Sequence, residues 1–325
     1  MTHAIRFHTI GGPEVLQWEE MPASEPGAGE ARIANKAVGL NYIDTYHRTG
    51  LYAVPLPSGI GLEAAGVVEA VGAGVSEFKA GDRVAYCNGP LGAYSESKIH
   101  PVERLVKIPD GVSFEQAACA MLQGLTTQYL LRRLLRVPQA GETVLFHAAA
   151  GGVGLIACQW ARALGVNVIG TVSSEEKAKL ARDHGCTHTI IYTQEDFVAR
   201  VKEITGGKGV PVVYDGVGKD TFMKSLDCLQ PRGLLALFGN ASGPVDALNT
   251  GLLAAKGSLY VTRPTLMSYV GKREELVAAA KELFDHVLAG RIKVGARQKY
   301  PLKDAAQAHR DLEGRKTTGS TVLMP

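Results

Sequence analysis

The sequence predicts an α/β protein of two domains, one rich in β-strand and one built on a doubly wound parallel sheet. Three observations predict it. About the first 120 residues are short β-branched runs punctuated by glycine. From Thr143 onward, apolar strand-like runs alternate with helical ones. A glycine-rich turn stands between the first of those strands and its helix. The length, 325 residues, favours two domains over one.

In the first part, Arg32–Val38 and Ala65–Val71 carry β-branched residues, and Gly72, Gly74, Gly81, Asp82, Gly89 and Pro90 mark turns. Long helical periods are few before Phe114, so a compact, mostly β domain is expected. The alternation then reads strand Thr143–Ala148, helix Gly152–Leu164, strand Asn167–Val172, helix Glu175–His184 and strand Thr187–Tyr192. It continues as helix Glu195–Thr205, strand Val210–Tyr214, helix Thr221–Leu229 and strand Leu234–Phe238, with a sixth strand near Ser258–Thr262. Strands alternating with helices make βαβ units and a parallel sheet buried on both faces. An amphipathic helix, Lys272 to Ala289, follows, and Gly319–Met324 reads as a strand returning to the first domain. The expected division is residues 1–122 with 267–325, and 123–266.

Composition narrows the function classes. A net charge of +3 is too small to argue for nucleic acid or an acidic membrane surface. Cys87, Cys119, Cys158, Cys186 and Cys228 are odd in number and never spaced C-x-x-C, as buried thiols in a reducing compartment would be. The start lacks the basic and then apolar run of a signal peptide. Glycines and polar residues break the apolar stretch Thr143–Val172, so no membrane span is expected there. A cytoplasmic enzyme is the expectation.

The turn His147–Gly154 carries the chemistry. A dinucleotide pyrophosphate needs a tight turn, close backbone approach and free N–H groups at a helix N-terminus. Ala149-x-Gly151-x-x-Gly154 keeps the G-x-G-x-x-G spacing with alanine at its first position. At the end of the second strand, NAD enzymes place an acid to hold the ribose 2′-hydroxyl. Here Ser173 stands at that point, and Ser174 and Lys177 follow as further donors to a 2′-phosphate. Glu175 and Glu176 pull the other way, although both also suit a helix N-terminus. NADPH is therefore expected over NADH.

Gly11-Gly12-Pro13-Glu14-Val15-Leu16, Asn41-Tyr42-Ile43-Asp44, Ala80-Gly81-Asp82-Arg83-Val84 and the glycine-rich turn resemble the zinc-independent NADPH:quinone oxidoreductases. These form the zeta-crystallin-like branch of the medium-chain dehydrogenase/reductase superfamily. The resemblance runs from Met1 to Pro325 and implies a GroES-like β domain with an inserted Rossmann domain and the cofactor in the cleft between them. It implies Asn41, Tyr46 and Tyr129 at the nicotinamide end, and Gly151, Gly152, Val153 and Gly154 at the pyrophosphate. Ser173, Ser174, Lys177 and Tyr192 would surround the 2′-phosphate and adenosine. Val217, Phe238, Gly239, Asn240 and Ala241 would cover the cofactor, with Arg263, Pro264 and Thr265 where the chain leaves the Rossmann domain and Arg315 reaching back from the tail. Tyr52 would wall the substrate pocket. For each aromatic the plainer alternative is core packing.

Zinc members of the superfamily need a thiolate where Asn41 stands, a His–Glu pair where Leu62-Glu63 stands, and a third ligand near Gln123. Asn41 and Leu62 are not usual zinc ligands, so no catalytic zinc is expected. No structural zinc is expected either, since only Cys87 lies where four close cysteines would be needed. Without a Lewis acid, alcohol oxidation is hard, whereas an electron-poor quinone can accept hydride or electrons from an oriented nicotinamide. Asn41, Tyr46 and Tyr52 are the catalytic candidates, the two tyrosines as hydrogen-bond donors to a quinone oxygen. Two other readings stay open: reduction of activated alkenes such as enals or enoyl thioesters, and an NADPH-binding structural or RNA-binding role. A homodimer through the sixth strand is what the resemblance implies.

Overall fold

The computed structural model describes residues 1–325, which divide into two compact units. The first comprises Met1–Leu125, Val270–Gly290 and Val294–Pro325; the second comprises Thr126–Tyr269 and Arg291–Lys293.

Ten strands build the first unit: β1 (Thr2–Phe7), β2 (Gln17–Met21), β3 (Glu30–Leu40), β4 (Ser58–Gly59), β5 (Glu63–Val71), β6 (Arg83–Tyr86), β7 (Ser97–Pro101) and β8 (Val106–Lys107), with β15 (Ala296–Pro301) and β16 (Ser320–Met324) from the tail. The larger sheet runs β15-β16-β3-β5-β6-β8, with β7 also on β3; a smaller sheet runs β2-β1-β4. The returning strand is found: β16 lies antiparallel to β3, with Val322 opposite Gly39. The core is the apolar face of these strands, including Ile5, Phe7, Ile33, Val38, Ile60 and Leu323.

The second unit holds the expected parallel sheet of β9 (Thr143–Phe146), β10 (Asn167–Val172), β11 (His188–Ile191), β12 (Val210–Asp215), β13 (Leu229–Leu237) and β14 (Tyr260–Thr262). Its order is β11-β10-β9-β12-β13-β14 and every pairing is parallel. All six residues of β12 are buried, as a central strand covered on both faces requires.

The helices are α1 (Tyr42–Arg48), α2 (Phe114–Arg132), α3 (Gly152–Ala163), α4 (Glu175–Asp183), α5 (Phe197–Ile204), α6 (Phe222–Asp227), α7 (Gly251–Ala255), α8 (Arg273–Leu288) and α9 (Ala305–Glu313). Three differences from the sequence reading have physical causes. Residues 117–131 of α2 are buried apart from Leu122, so this helix carries almost no alternation of polar and apolar faces to read. α1 is seven residues long, too short to show a period, and forms because Asn41 and Asp44 cap it. The fifth strand starts at Leu229 rather than Leu234: Pro231, Arg232 (φ 60°) and Gly233 are taken up in a register break between Val210 and Val212 of β12. The sixth helix accordingly ends at Asp227.

Candidate functional site

In the second unit, nearly every residue expected to bind cofactor falls just past the carboxyl end of a parallel strand. Gly151, Gly152, Val153 and Gly154 follow β9; Ser173, Ser174 and Lys177 follow β10; Tyr192 follows β11. Val217 follows β12, Phe238 to Ala241 follow β13, and Arg263, Pro264 and Thr265 follow β14. In a sheet of order 3-2-1-4-5-6 this edge is where ligands bind, because the loops diverge about the first strand.

The turn after β9 is tightly made. Gly151 caps α3 in an extended conformation and offers no side chain to the helix N–H groups. A Cβ on Gly154 would come within 2.4 Å of the Ala148 carbonyl oxygen, so helix and turn can meet only at glycine. The left-handed residue of this turn is Ala148 (φ 55°), an alanine where glycine would be at ease. An uncapped helix N-terminus behind a backbone cradle fits a pyrophosphate.

The turn after β10 is just as defined. The Ser174 hydroxyl accepts from the Lys177 N–H at 3.3 Å, capping α4. That hydroxyl still has its own proton to donate, and the cap sets Lys177 in the first turn of the helix. Thr193 Oγ1 donates to the Ser173 carbonyl at 3.1 Å, and the Tyr192 N–H donates to Val172, which ties the third loop to the second. After β13, Gly239 packs so closely on Gly216 that a Cβ would lie 2.4 Å from its carbonyl oxygen. With its amide assigned to suit its neighbours, Asn240 accepts from Arg263 at 3.1 Å and donates to the Gly239 carbonyl. Tyr129 is buried and stacked on Tyr269, with ring centroids 4.4 Å apart.

Sequence reasoning missed the group that holds these loops. The Asp215 carboxylate at the end of β12 accepts from the Val217 and Gly218 N–H groups at 2.8 and 3.0 Å and from the Thr221 and Ser225 hydroxyls. His147 bridges Thr171 and Ser225, each at 2.9 Å. Burial keeps His147 below the ordinary histidine range, so the ring is neutral. Since Ser225 donates to Asp215, His147 Nε2 donates to Ser225 and Nδ1 accepts from Thr171. An aspartate at a strand end was the available signal.

In the first unit, Asn41, Tyr46 and Tyr52 come together. The Asn41 N–H donates to Asp44 Oδ2 at 2.9 Å, the Tyr52 N–H donates to the Tyr46 carbonyl at 3.0 Å, and the Tyr46 and Tyr52 rings meet edge to face at 5.3 Å. Asn41 Nδ2 donates to Glu63 Oε2 at 2.6 Å, while Asn41 Oδ1 accepts from Gln123 at 3.2 Å. Glu63 Oε1 accepts from the Leu122 N–H at 2.7 Å. Burial pushes the Glu63 carboxyl up to about 8 and the Asp44 carboxyl up to about 7, against the hydrogen bonds that favour their charged forms.

A second line of contacts fixes Asp44. Arg48 is 1% exposed and holds Glu313 in a two-pronged pair at 2.7 and 3.0 Å. Its third contact is His309 Nδ1, at 2.9 Å. Arginine only donates, so Nδ1 accepts and Nε2–H points at Tyr94 Oη, 3.1 Å away; the Tyr94 hydroxyl then donates to Asp44 Oδ2 at 2.9 Å. Arg315 lies two residues past α9 and Glu313, in a left-handed conformation (φ 58°).

Comparison with known proteins gives this arrangement its family. The model of the alcohol dehydrogenase GroES-like domain matches residues 27–110, and that of the zinc-binding dehydrogenases matches 152–285. A quinone oxidoreductase of Pseudomonas aeruginosa is 60% identical over the whole of both chains. The chain belongs to the quinone oxidoreductase family of the medium-chain dehydrogenase/reductase superfamily. A crystal structure of the Escherichia coli quinone oxidoreductase, in complex with NADPH, superposes with a TM-score of 0.98 at 55% identity, covering 99% of this chain and 100% of that one. A 2-haloacrylate reductase of a Burkholderia species is 49% identical over 100% of this chain and 99% of its own. The GroES-like and Rossmann architecture expected from sequence is thus the observed one.

The second of these families is described by zinc binding, but the residues here do not suit that ion. In this quinone oxidoreductase family member, Asn41 offers an amide whose two ends are taken by Glu63 and Gln123, and Leu62 offers no donor. No three His, Cys, Asp or Glu side chains converge as a metal-binding group. Zinc does not fit this donor set. No helix is long and apolar enough to cross a membrane.

Proposed function

We propose that this chain reduces quinones with NADPH, without a metal ion. The observation that carries the reading is the carboxyl edge of the parallel sheet. There the uncapped N-terminus of α3 and the Ser173–Lys177 turn offer donors to two separate phosphates, in a chain that matches quinone oxidoreductases from end to end.

The roles follow from chemistry at each position. Gly151 to Gly154 hold the pyrophosphate; Ser173, Ser174 and Lys177 hold the 2′-phosphate; Tyr192 flanks the adenosine. Val217, Phe238 to Ala241 and Arg263 to Thr265 cover the cofactor. Asn41, Tyr46 and Tyr129 take its nicotinamide end, Arg315 reaches back to the cofactor from the tail, and Tyr46 and Tyr52 donate to the quinone oxygen. When bound, the cofactor supplies hydride; the protein's part is binding, orientation and the exclusion of water.

The 2-haloacrylate reductase relative favours reduction of an activated carbon–carbon double bond as the second reading. A structural or RNA-binding role is the weaker alternative, since a net charge of +3 argues against nucleic acid. NADPH oxidation measured against a quinone panel, an enal, a 2-haloacrylate and an enoyl thioester separates them. A quinone turning over with the highest kcat/KM upholds the proposal; an alkene substrate doing so replaces it; tight NADPH binding with no turnover points to the binding role.

The five cysteines are all buried and unbridged, which fits a reducing, cytoplasmic setting. The β14 strand ends the parallel sheet with Tyr260 half exposed, and an edge of this kind is usually covered. We therefore also propose a homodimer paired through β14.

A further inference from the structure

Two carboxyl groups flank Asn41 with no cation in contact with either. Glu63 and Asp44 are both fully buried. Glu63 takes the Asn41 side-chain amide and the Leu122 N–H; Asp44 takes the Asn41 backbone N–H and the Tyr94 hydroxyl. Asp44 Oδ1 is buried and has no partner. The space for Glu63 is made by sequence: a Cβ on Gly39 would lie 2.4 Å from Glu63 Oε2 and 2.4 Å from the Ala118 carbonyl oxygen.

Every titratable group facing the pair is neutral. Just past β6 and on α2, burial pushes the Cys87 and Cys119 thiols up, and Glu63 adds to both shifts. Burial likewise raises the Tyr94 hydroxyl. Burial lowers His309, on α9, to about 3. Gln123, from α2, contributes only an amide. Arg48 is linked to Asp44 through His309 and Tyr94, and its own charge is matched by Glu313. Two buried carboxyls without a counter-ion are costly as a double anion.

We propose that Asp44 and Glu63 act as a charge-compensating pair, holding a proton while the cofactor ring is neutral and releasing it when the ring carries positive charge. The proposal rests on the nicotinamide end lying at Asn41. In the release, a carboxyl O–H bond breaks and the proton passes to water. The carboxylate left behind offsets the ring's charge, and no electrons move in this step. Both residues act through Asn41 and are positioning residues. In a zinc enzyme a metal ion could hold these acids ionised throughout; here the occupant whose charge changes is the cofactor itself.

The pair makes a prediction about binding that a structural role does not. Oxidised cofactor should bind with release of one proton more than reduced cofactor. The 2′-phosphate titrates alike for both, so the ratio of their dissociation constants isolates the ring. In the parent, Kd(NADP+)/Kd(NADPH), measured by calorimetry and by NADPH fluorescence, should fall at least about fivefold from pH 6 to pH 8, out of a limit of about tenfold per unit. In Glu63→Gln the ratio should stay within about twofold over the same range. Calorimetry in two buffers of different ionisation enthalpy should show more proton release for NADP+ than for NADPH. Should Glu63→Gln fail to fold, Asp44→Asn carries the same measurement. A flat ratio in the parent, or an unchanged slope in the variant that folds, overturns the pair. Asn41→Ala checks the underlying placement. If it weakens both cofactors while the parent's ratio is flat, the pair alone is wrong. If it leaves both affinities unchanged, the placement fails and takes the proposal with it.

Discussion

The proposed roles of Lys177 and Ser173 in cofactor choice can be tested one residue at a time. A lysine beside a 2′-phosphate makes a charge-assisted hydrogen bond of about 1.5–3 kcal/mol. Lys177→Ala should therefore raise the NADPH dissociation constant at least about tenfold and leave NADH nearly unchanged. The difference should shrink in high salt, because the pair is part-exposed. Ser173→Asp should repel NADPH. Titrating both cofactors against each variant checks this, and equal losses would make Lys177 a helix residue only. Buried titratable groups also set how stability follows pH. His309 sits at about 3, below its ordinary value, so the unfolded chain binds a proton that the folded one refuses. Its contribution is complete above about 6.5 and is lost as pH falls toward about 3. Glu63 and Asp44 act in the opposite sense. Their raised carboxyls hold protons in the fold, so their contribution is complete in acid and is lost as pH rises through about 7 and 8. Urea unfolding of Glu63→Gln across pH 5–8 should show a shallower decline than the parent.

At the scale of elements, the N-terminal turn of α3 separates binding from folding. Gly152→Val places a branched side chain where backbone should meet phosphate, and cofactor affinity should fall sharply with the melting temperature little changed. Gly154→Ala meets the Ala148 carbonyl and the Ala149 backbone at once, so it should lower melting temperature and affinity together. Differential scanning fluorimetry with and without NADPH tells the two outcomes apart. The turn was readable because three requirements coincide there: strand before, helix after, and glycine at the close approach. Asp215 offered only its place at a strand end, because one aspartate between a valine-rich strand and a glycine carries no spacing that names its partners. Its four hydrogen bonds exist only once β12, its following turn and α6 are folded.

For the molecule as a whole, metal content and assembly are the open measurements. The donor set at Asn41, Leu62 and Gln123 leads us to expect no stoichiometric zinc in purified protein and full activity after chelation. One zinc per chain, with activity lost on its removal, would overturn that expectation. Light scattering should give a dimer mass, and Tyr260→Lys at the β14 edge should shift it toward monomer. An unchanged mass would move the interface elsewhere.

The alternation of apolar strand and helix, the turn at Gly151–Gly154 and the returning strand at the C-terminus were all legible in the order of residues. Each rests on a local period or on glycine's freedom, and both survive without knowing the fold. What only the tertiary structure decided is the pairing of distant polar groups. Glu63 meets Asn41 because β5 lies beside β3, and Arg48 meets Glu313 because α9 comes back against α1, 265 residues later in the chain. Hydrogen bonds of this kind leave no periodic trace in the sequence. They are fixed by burial, which makes an unpaired carboxyl or guanidinium costly and so forces each to find its partner.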